Sequence, residues 1–228
     1  MDLIDSVVVE LVSRAEADTE SIMLIGAHCR DLLHKGFGHT EPLRSTNDVD
    51  VAIAVDGEVE YRQIVEALSK SGSTDIRYLI AGIAVDVVPF GEIENPAGTT
   101  SLPDRRESFD VFGFQEVFAK SIRLPLPSGS RIALPAPAGY AALKMKAWCD
   151  RSPNGEYKDA SDIATICTWY QEDADIRSSL YGRRTDLLIE ADLDVSIASL
   201  HLLGEDISAI LGDTRVAELA TVWDRHRP

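Results

Sequence analysis

Basic residues are scarce in this chain, where 22 lysines and arginines face 38 aspartates and glutamates for a net charge of −16 over 228 residues. A surface of that sign repels phosphate backbones, which excludes broad, non-specific nucleic-acid binding and leaves only local basic patches for such contacts. Cysteine is nearly absent. Cys29, Cys149 and Cys167 are odd in number, fall in helix-like segments and lack metal-type spacing, so free thiols in a reducing compartment are expected. No apolar run approaches the roughly 18 residues that cross a bilayer. The opening "MDLIDSVVVELVSRAEADTE" also lacks a positive n-region and a small-residue cleavage site. A cytoplasmic location with no membrane partner is therefore expected. Aromatics are only 7%, yet 45% hydrophobic residues supply a sizeable core, which excludes global disorder. The length suits one full α/β domain with a helical extension, or two small domains sharing an interface.

Residues 3 to 16 read as an amphipathic helix, followed by a short apolar strand, "IMLIG". Helical spacing resumes in "AHCRDLLHK", so Gly26 stands at a strand-to-helix junction, where unpaired N–H groups and the helix dipole favour an anion. "EVEYRQIVEALSKSG" reads as a helix, and "DIRYLIAGIAVDVVPFG" as a β-hairpin turning at Ala81 and Gly82. "EIENPAGTTSLPDRRES" reads as a polar loop, and "IRLPLPSGSRIAL" as a hairpin with "PSGS" as its turn. From Pro135 the pattern is helical, at about 137 to 150, 158 to 171, 173 to 181, 192 to 203 and 205 to 225, with breaks at "SPNG", "YGRR" and Gly204 to Asp206. The expected organisation is an α/β (α+β) domain over 1–135, with a mixed sheet and flanking helices, and a helical domain over 136–228.

The stretch "RSTNDVDVAIAV" alternates from Asp48, placing Val49, Val51, Ile53 and Val55 on one side of a strand and Asp48, Asp50, Ala52 and Ala54 on the other. Two carboxylates on one face persist cheaply in open water or with a cation between them. In "IAVDVVPF", Asp86 stands among apolar neighbours and needs a partner, a cation or an exposed edge. If its strand lies beside that of Asp48, three carboxylates converge into an oxygen-rich site suited to Mg²⁺ or Mn²⁺. Removing one of three crowded like charges is expected to hold or raise stability.

The order "IGAHCRD", "RSTNDVDVAIAV", "AVDVVPFG", "LKMKAWCDR" and "KDASDI" resembles the nucleotidyltransferases related to AbiEii/AbiGii toxins, of the DNA polymerase β-like superfamily. The resemblance spans about residues 20 to 170. It implies a nucleotidyltransferase fold, with Asp48, Asp50 and Asp86 as metal ligands, NTP as substrate, and Gly26 and Ala27 in the phosphate-binding turn. Ala27 departs from the Gly-Ser or Gly-Gly common there and lacks a hydroxyl, leaving phosphate to backbone amides and basic side chains such as Arg30. Arg44 either binds phosphate or pairs with Asp48.

In the helical part, Asp162 adjoins the apolar stripe of its helix. It either forms a structural salt bridge to Arg151 or Lys146, or belongs with Asp159 to a functional set. In that set Lys146 reaches the triphosphate, Lys158 adds a further cationic contact, and Asp159 or Asp162 orients Lys146 or the acceptor. The resemblance favours the second. His28, His34 and His39 show no zinc-type pattern and are read as structural or exposed. Cys29 is read as a small core residue.

The expected function is a Mg²⁺-dependent nucleotidyltransferase moving NMP from NTP to an acceptor hydroxyl; the alternative is a nucleotide- or partner-binding regulator with little catalysis. The resemblance implies RNA as acceptor, with a toxin–antitoxin role and a cognate antitoxin. The acidic composition weighs against RNA, and small molecules such as aminoglycosides or protein hydroxyls stay open. An RNA acceptor would need a confined basic rim, with Arg105, Arg106, Arg183 and Arg184 as its candidates.

Overall fold

In the computed structural model of the chain, residues 1–72, 74–102 and 108–225 are described. The elements run α1 (Asp2–Ala15), β1 (Ile22–Ile25), α2 (Gly26–Gly36), β2 (Asp48–Val55), α3 (Glu58–Glu66), β3 (Ser69–Lys70), β4 (Arg77–Ile80), β5 (Ile83–Gly91), β6 (Thr99–Ser101) and β7 (Ser108–Asp110). They continue with α4 (Phe114–Ala119), β8 (Ile122–Pro125), β9 (Arg131–Leu134), α5 (Pro137–Arg151), α6 (Lys158–Glu172), α7 (Ala174–Leu180), α8 (Thr185–Glu190) and α9 (Val195–Trp223). Two units emerge, one of Met1–Leu32 with Glu41–Ala136, the other of Leu33–Thr40 with Pro137–Pro228. The last turn of α2 therefore groups with the helical unit.

The first unit is built on a mixed seven-stranded sheet in the order β3-β4-β5-β2-β1-β9-β8. Its centre is the parallel pair β2 and β5, in which Val49, Val51, Val85 and Val87 are fully buried while Asp48, Asp50 and Asp86 are only partly covered. The alternation of apolar and polar residues has thus set which face each strand turns inward. α1 buries Ile4, Val7, Val8, Leu11 and Ala15 at helical spacing and stops at Glu16, whose φ of 53° is left-handed. β4 and β5 form the expected hairpin, with Ile80 opposite Ile83 and both turn residues, Ala81 and Gly82, at positive φ as a two-residue hairpin turn demands. β8 and β9 form the second expected hairpin.

Four expectations need correction here. The helix read over "EVEYRQIVEALSKSG" ends at Glu66, because Ser69 and Lys70 pair with β4 and so cover part of its outer edge. The segment read as a polar loop contains β6, paired with β7; Thr100 is buried and its hydroxyl donates to the Pro89 carbonyl at 3.0 Å. The short helices α4 and α8 had no counterpart in the sequence reading. Finally, α9 passes unbroken through Gly204 to Asp206, since an isolated helical glycine costs only about 1 kcal/mol. Both acidic residues there are also held, Glu205 by Arg184 at 2.6 Å and Asp206 by the Tyr170 hydroxyl at 2.9 Å. The backbone departs from helix at Gly212 instead, with φ 72°.

In the second unit α9 packs against α5, α6, α7 and α8. Leu180, Leu187, Leu188, Ala191 and Ala198 make one apolar cluster there. By length and composition α9 is apolar enough to cross a membrane, a longer apolar stretch than the sequence reading registered. Its Leu203, Ile207, Leu211 and Leu219 are buried against protein.

Candidate functional site

β1 runs antiparallel to β2 with Ile25 opposite Asp50, so the chain leaves β1 for α2 beside the Asp50 carboxylate. Gly26 makes that turn at φ +67°, and a Cβ on it would lie 1.9 Å from Asp50 Oδ2. Glycine is required twice, for the left-handed backbone and for the space the carboxylate fills. A negative group at the start of a helix is also favoured by the helix dipole. Ala27, the next residue, is buried and offers only its backbone.

Asp50 on β2 is the register partner of Asp86 on β5, and Asp48 lies two residues before Asp50 on the same face. The three carboxylates are therefore brought to neighbouring positions on two adjacent strands. The sequence reading missed their counter-ion. Arg77 on β4 stands directly across from Asp86, donating from Nε to Oδ1 at 2.7 Å and from Nη2 to Oδ2 at 2.8 Å. The same Nη2 donates to Asp48 Oδ2 at 2.9 Å. A signal for it existed: counting outward from the turn at Ala81 and Gly82 places residue 77 opposite residue 86. The Asp48 carboxyl is held below the usual aspartate range, first by a hydrogen bond from the Thr46 hydroxyl and also by Arg77. Arg77 in turn is held even more firmly protonated than an ordinary arginine, chiefly by its hydrogen bonds to Asp86.

The donor set is three aspartates and no nitrogen or sulfur, which fits a hard divalent cation such as Mg²⁺ or Mn²⁺. The cradle that Gly26 leaves for Asp50 fits the same use. Among the described residues no group of three or more His, Cys, Asp or Glu is gathered at metal-holding spacing. Instead Asp48 and Asp86 close on Arg77. Because Arg77 offsets the charge on Asp48 and Asp86, losing either of those two carboxylates is expected to lower stability, where repulsion among the three alone implied that it would hold or rise.

The remaining candidates fall into distinct environments. Arg30 is 1% exposed; it donates from Nε and Nη2 to Asp31 Oδ1 at 2.9 and 2.7 Å, and from Nη2 to the Arg44 carbonyl at 2.6 Å. It braces the polar segment leading into β2, and the Arg44 side chain itself is exposed. His28, in the first turns of α2, is kept below the usual imidazole range mainly by burial, against the pull of Asp31 and Asp48. Its Nε2 is buried without a hydrogen-bond partner among the described residues.

Within the second unit, Asp159 and Asp162 are buried, and the cation between them is Lys144, at 3.0 and 2.7 Å. Arg151 adds a contact to Asp159 at 3.1 Å. The structural alternative is corrected in its partner: it expected Asp162 to pair with Arg151 or Lys146, and the cation found on Asp162 is Lys144, which the packing of α5 on α6 brings to it. Lys146 reaches both oxygens of Asp150 at 2.7 Å, one helical turn along α5. Lys158 is half exposed and lies 3.9 Å from Glu156. His34 accepts a hydrogen bond from the indole of Trp169 at 2.9 Å and stacks on His39, a structural role. Cys29 is fully buried, as read. Arg184 is engaged by Asp186 and Glu205. Arg105 and Arg106 lie outside the described residues.

No family model matches this chain, and no curated protein matches it. Among solved structures it is similar to an antigenic nucleotidyltransferase-like protein from Paracoccidioides brasiliensis, at 17% identity and a TM-score of 0.44, over 86% of this chain and 91% of that one.

Proposed function

We propose that this chain is a metal-dependent nucleotidyltransferase that moves NMP from an NTP to an acceptor hydroxyl. The observation that carries the reading is the register of Asp50 with Asp86 on adjacent parallel strands, with Asp48 on the same face and Gly26 turning beside Asp50. Asp48, Asp50 and Asp86 would hold Mg²⁺ or Mn²⁺. Such an ion, when bound, neutralises triphosphate charge and activates the attacking hydroxyl. The start of α2 at Gly26 and Ala27 is the phosphate-binding turn that the resemblance implies, with the Asp50 carboxylate filling the space beside Gly26. Thr46 fixes one oxygen of Asp48 and keeps that carboxylate ionised. Arg30 holds the segment from which Arg44 extends as a further phosphate contact. Lys146, Lys158, Asp159 and Asp162 enter the proposal through the toxin-family resemblance.

For the acceptor, the resemblance supports RNA in a cytoplasmic toxin–antitoxin role with a cognate antitoxin. Incubating the protein with each labelled NTP, Mg²⁺ and total RNA, protein extract or an antibiotic panel tests this, because the labelled fraction identifies the acceptor. Label in no fraction, with no pyrophosphate released, contradicts the transferase reading.

One observation favours the second reading, a nucleotide- or partner-binding regulator: the charge on Asp48 and Asp86 is already offset by the chain's own Arg77. NTP-dependent heat stabilisation without pyrophosphate release is the result that reading expects.

A further inference from the structure

We propose that Arg77 is a built-in competitor for the cation position, a guanidinium that holds Asp48 and Asp86 until a divalent ion displaces it. This rests on the metal-dependent reading above. Arg77 engages both oxygens of Asp86 and one of Asp48, and these are oxygens a metal would need. The planar fork of arginine matches a carboxylate in two parallel hydrogen bonds, a fit the point charge of lysine does not reproduce. A guanidinium so placed and a divalent cation on the same carboxylates would stand a few ångströms apart as like charges, so one excludes the other.

The fold also gives Arg77 somewhere to go. Its side chain is 33% exposed, and its strand is separated from the sheet edge only by the two-residue β3. Gly72, beside it, has no side chain: even an added Cβ there would only touch the Arg77 Cδ, at 3.5 Å. Outward movement of the guanidinium therefore meets no side chain at Gly72. Two consequences follow. The carboxylates stay neutralised when divalent ions are scarce, and cation affinity is set by an exchange between two cations rather than by the carboxylates alone.

The test is Mn²⁺ binding to the full chain without nucleotide, read by the electron paramagnetic resonance of free Mn²⁺. The proteins compared are the wild type, Arg77→Met, Arg77→Lys and Arg77→Met combined with Asp86→Asn. Removing the competitor is expected to tighten Mn²⁺ binding about tenfold in Arg77→Met, the scale of one modest ion pair. Arg77→Lys should fall between that variant and the wild type, and adding Asp86→Asn should cancel the gain. In chelator Arg77→Met is expected to melt below the wild type, and Mn²⁺ should raise its Tm by more than it raises the wild-type Tm. If Arg77→Met fails to fold in chelator, Arg77→Lys carries the test, with binding tighter than wild type expected. If no Arg77 variant binds Mn²⁺ more tightly than the wild type, the competitor role is overturned and the metal reading is left standing. Absence of saturable Mn²⁺ binding in every protein overturns both.

Discussion

Arg77 and Asp86 face each other across the β4–β5 hairpin, joined by two hydrogen bonds of 2.7 and 2.8 Å. Because the Asp86 side chain is only 18% exposed, Asp86→Ala leaves a partly covered guanidinium with one partner fewer. We expect that substitution to lower stability by about 1 kcal/mol and to abolish nucleotidyl transfer. A double-mutant cycle with Arg77→Ala checks it: the two losses should fall clearly short of additive.

Gly26→Ala is expected to be more damaging than its size implies, because the new methyl would fall on the Asp50 carboxylate. A cost of roughly 2 kcal/mol or more is expected, part from the clash and part from the left-handed backbone. In an Asp50→Gly background the clash is gone, and the cost should shrink to the backbone share of about 1 kcal/mol. Urea unfolding of the four proteins measures both numbers.

The pH dependence follows from Asp48. Its folded-state pKa is depressed, first by Thr46 and then, against burial, with help from Arg77. The stabilisation is therefore complete above the ordinary aspartate value of 3.8 and is lost as pH falls through the lower folded value. Thr46→Val removes the leading cause. Urea midpoints followed from about pH 6 down to about pH 3 should show the wild type losing stability toward the acid end, with the Thr46→Val deficit largest at neutral pH and narrowing in acid.

Lys144, between Asp159 and Asp162, is expected to be structural first. Lys144→Met leaves two buried carboxylates short of their shared cation, and we expect a loss of about 3 kcal/mol in unfolding free energy. Lys146 differs, being paired along its own helix with Asp150. Lys146→Ala should change stability little yet weaken NTP binding and turnover more than Lys70→Ala, whose lysine pairs with Asp75 at the sheet edge. Equal, negligible effects from both would remove Lys146 from the proposed site.

Much of this was legible because one-dimensional patterns carried it. Strand alternation identified the shared face of Asp48 and Asp50, and the turn at Ala81 and Gly82 set the register of the hairpin. What escaped depended on contacts between distant residues. Nothing local to Ser69 and Lys70 announces a strand, which exists only because β4 has a free edge. Gly204 reads as a break until Arg184 and Tyr170 are found holding the two acidic residues after it. Lys144 and Lys146 are equally basic in sequence, and only the packing of α5 on α6 decides that Lys144 meets Asp159 and Asp162. Arg77 was within reach of register counting, but its bridge to Asp48 needs β2 placed on the far side of β5.

The most direct measurement is pyrophosphate release from each NTP in the presence of Mg²⁺ and a mixed acceptor pool, for the wild type and Asp50→Asn. Asn is close to isosteric with Asp, so Gly26 and its turn should be undisturbed while one anionic ligand is lost. The account expects release by the wild type that chelator abolishes and that Asp50→Asn lowers by at least about a hundredfold, with unchanged Tm in chelator. Release at the wild-type rate by Asp50→Asn, or release indifferent to chelator, would contradict it.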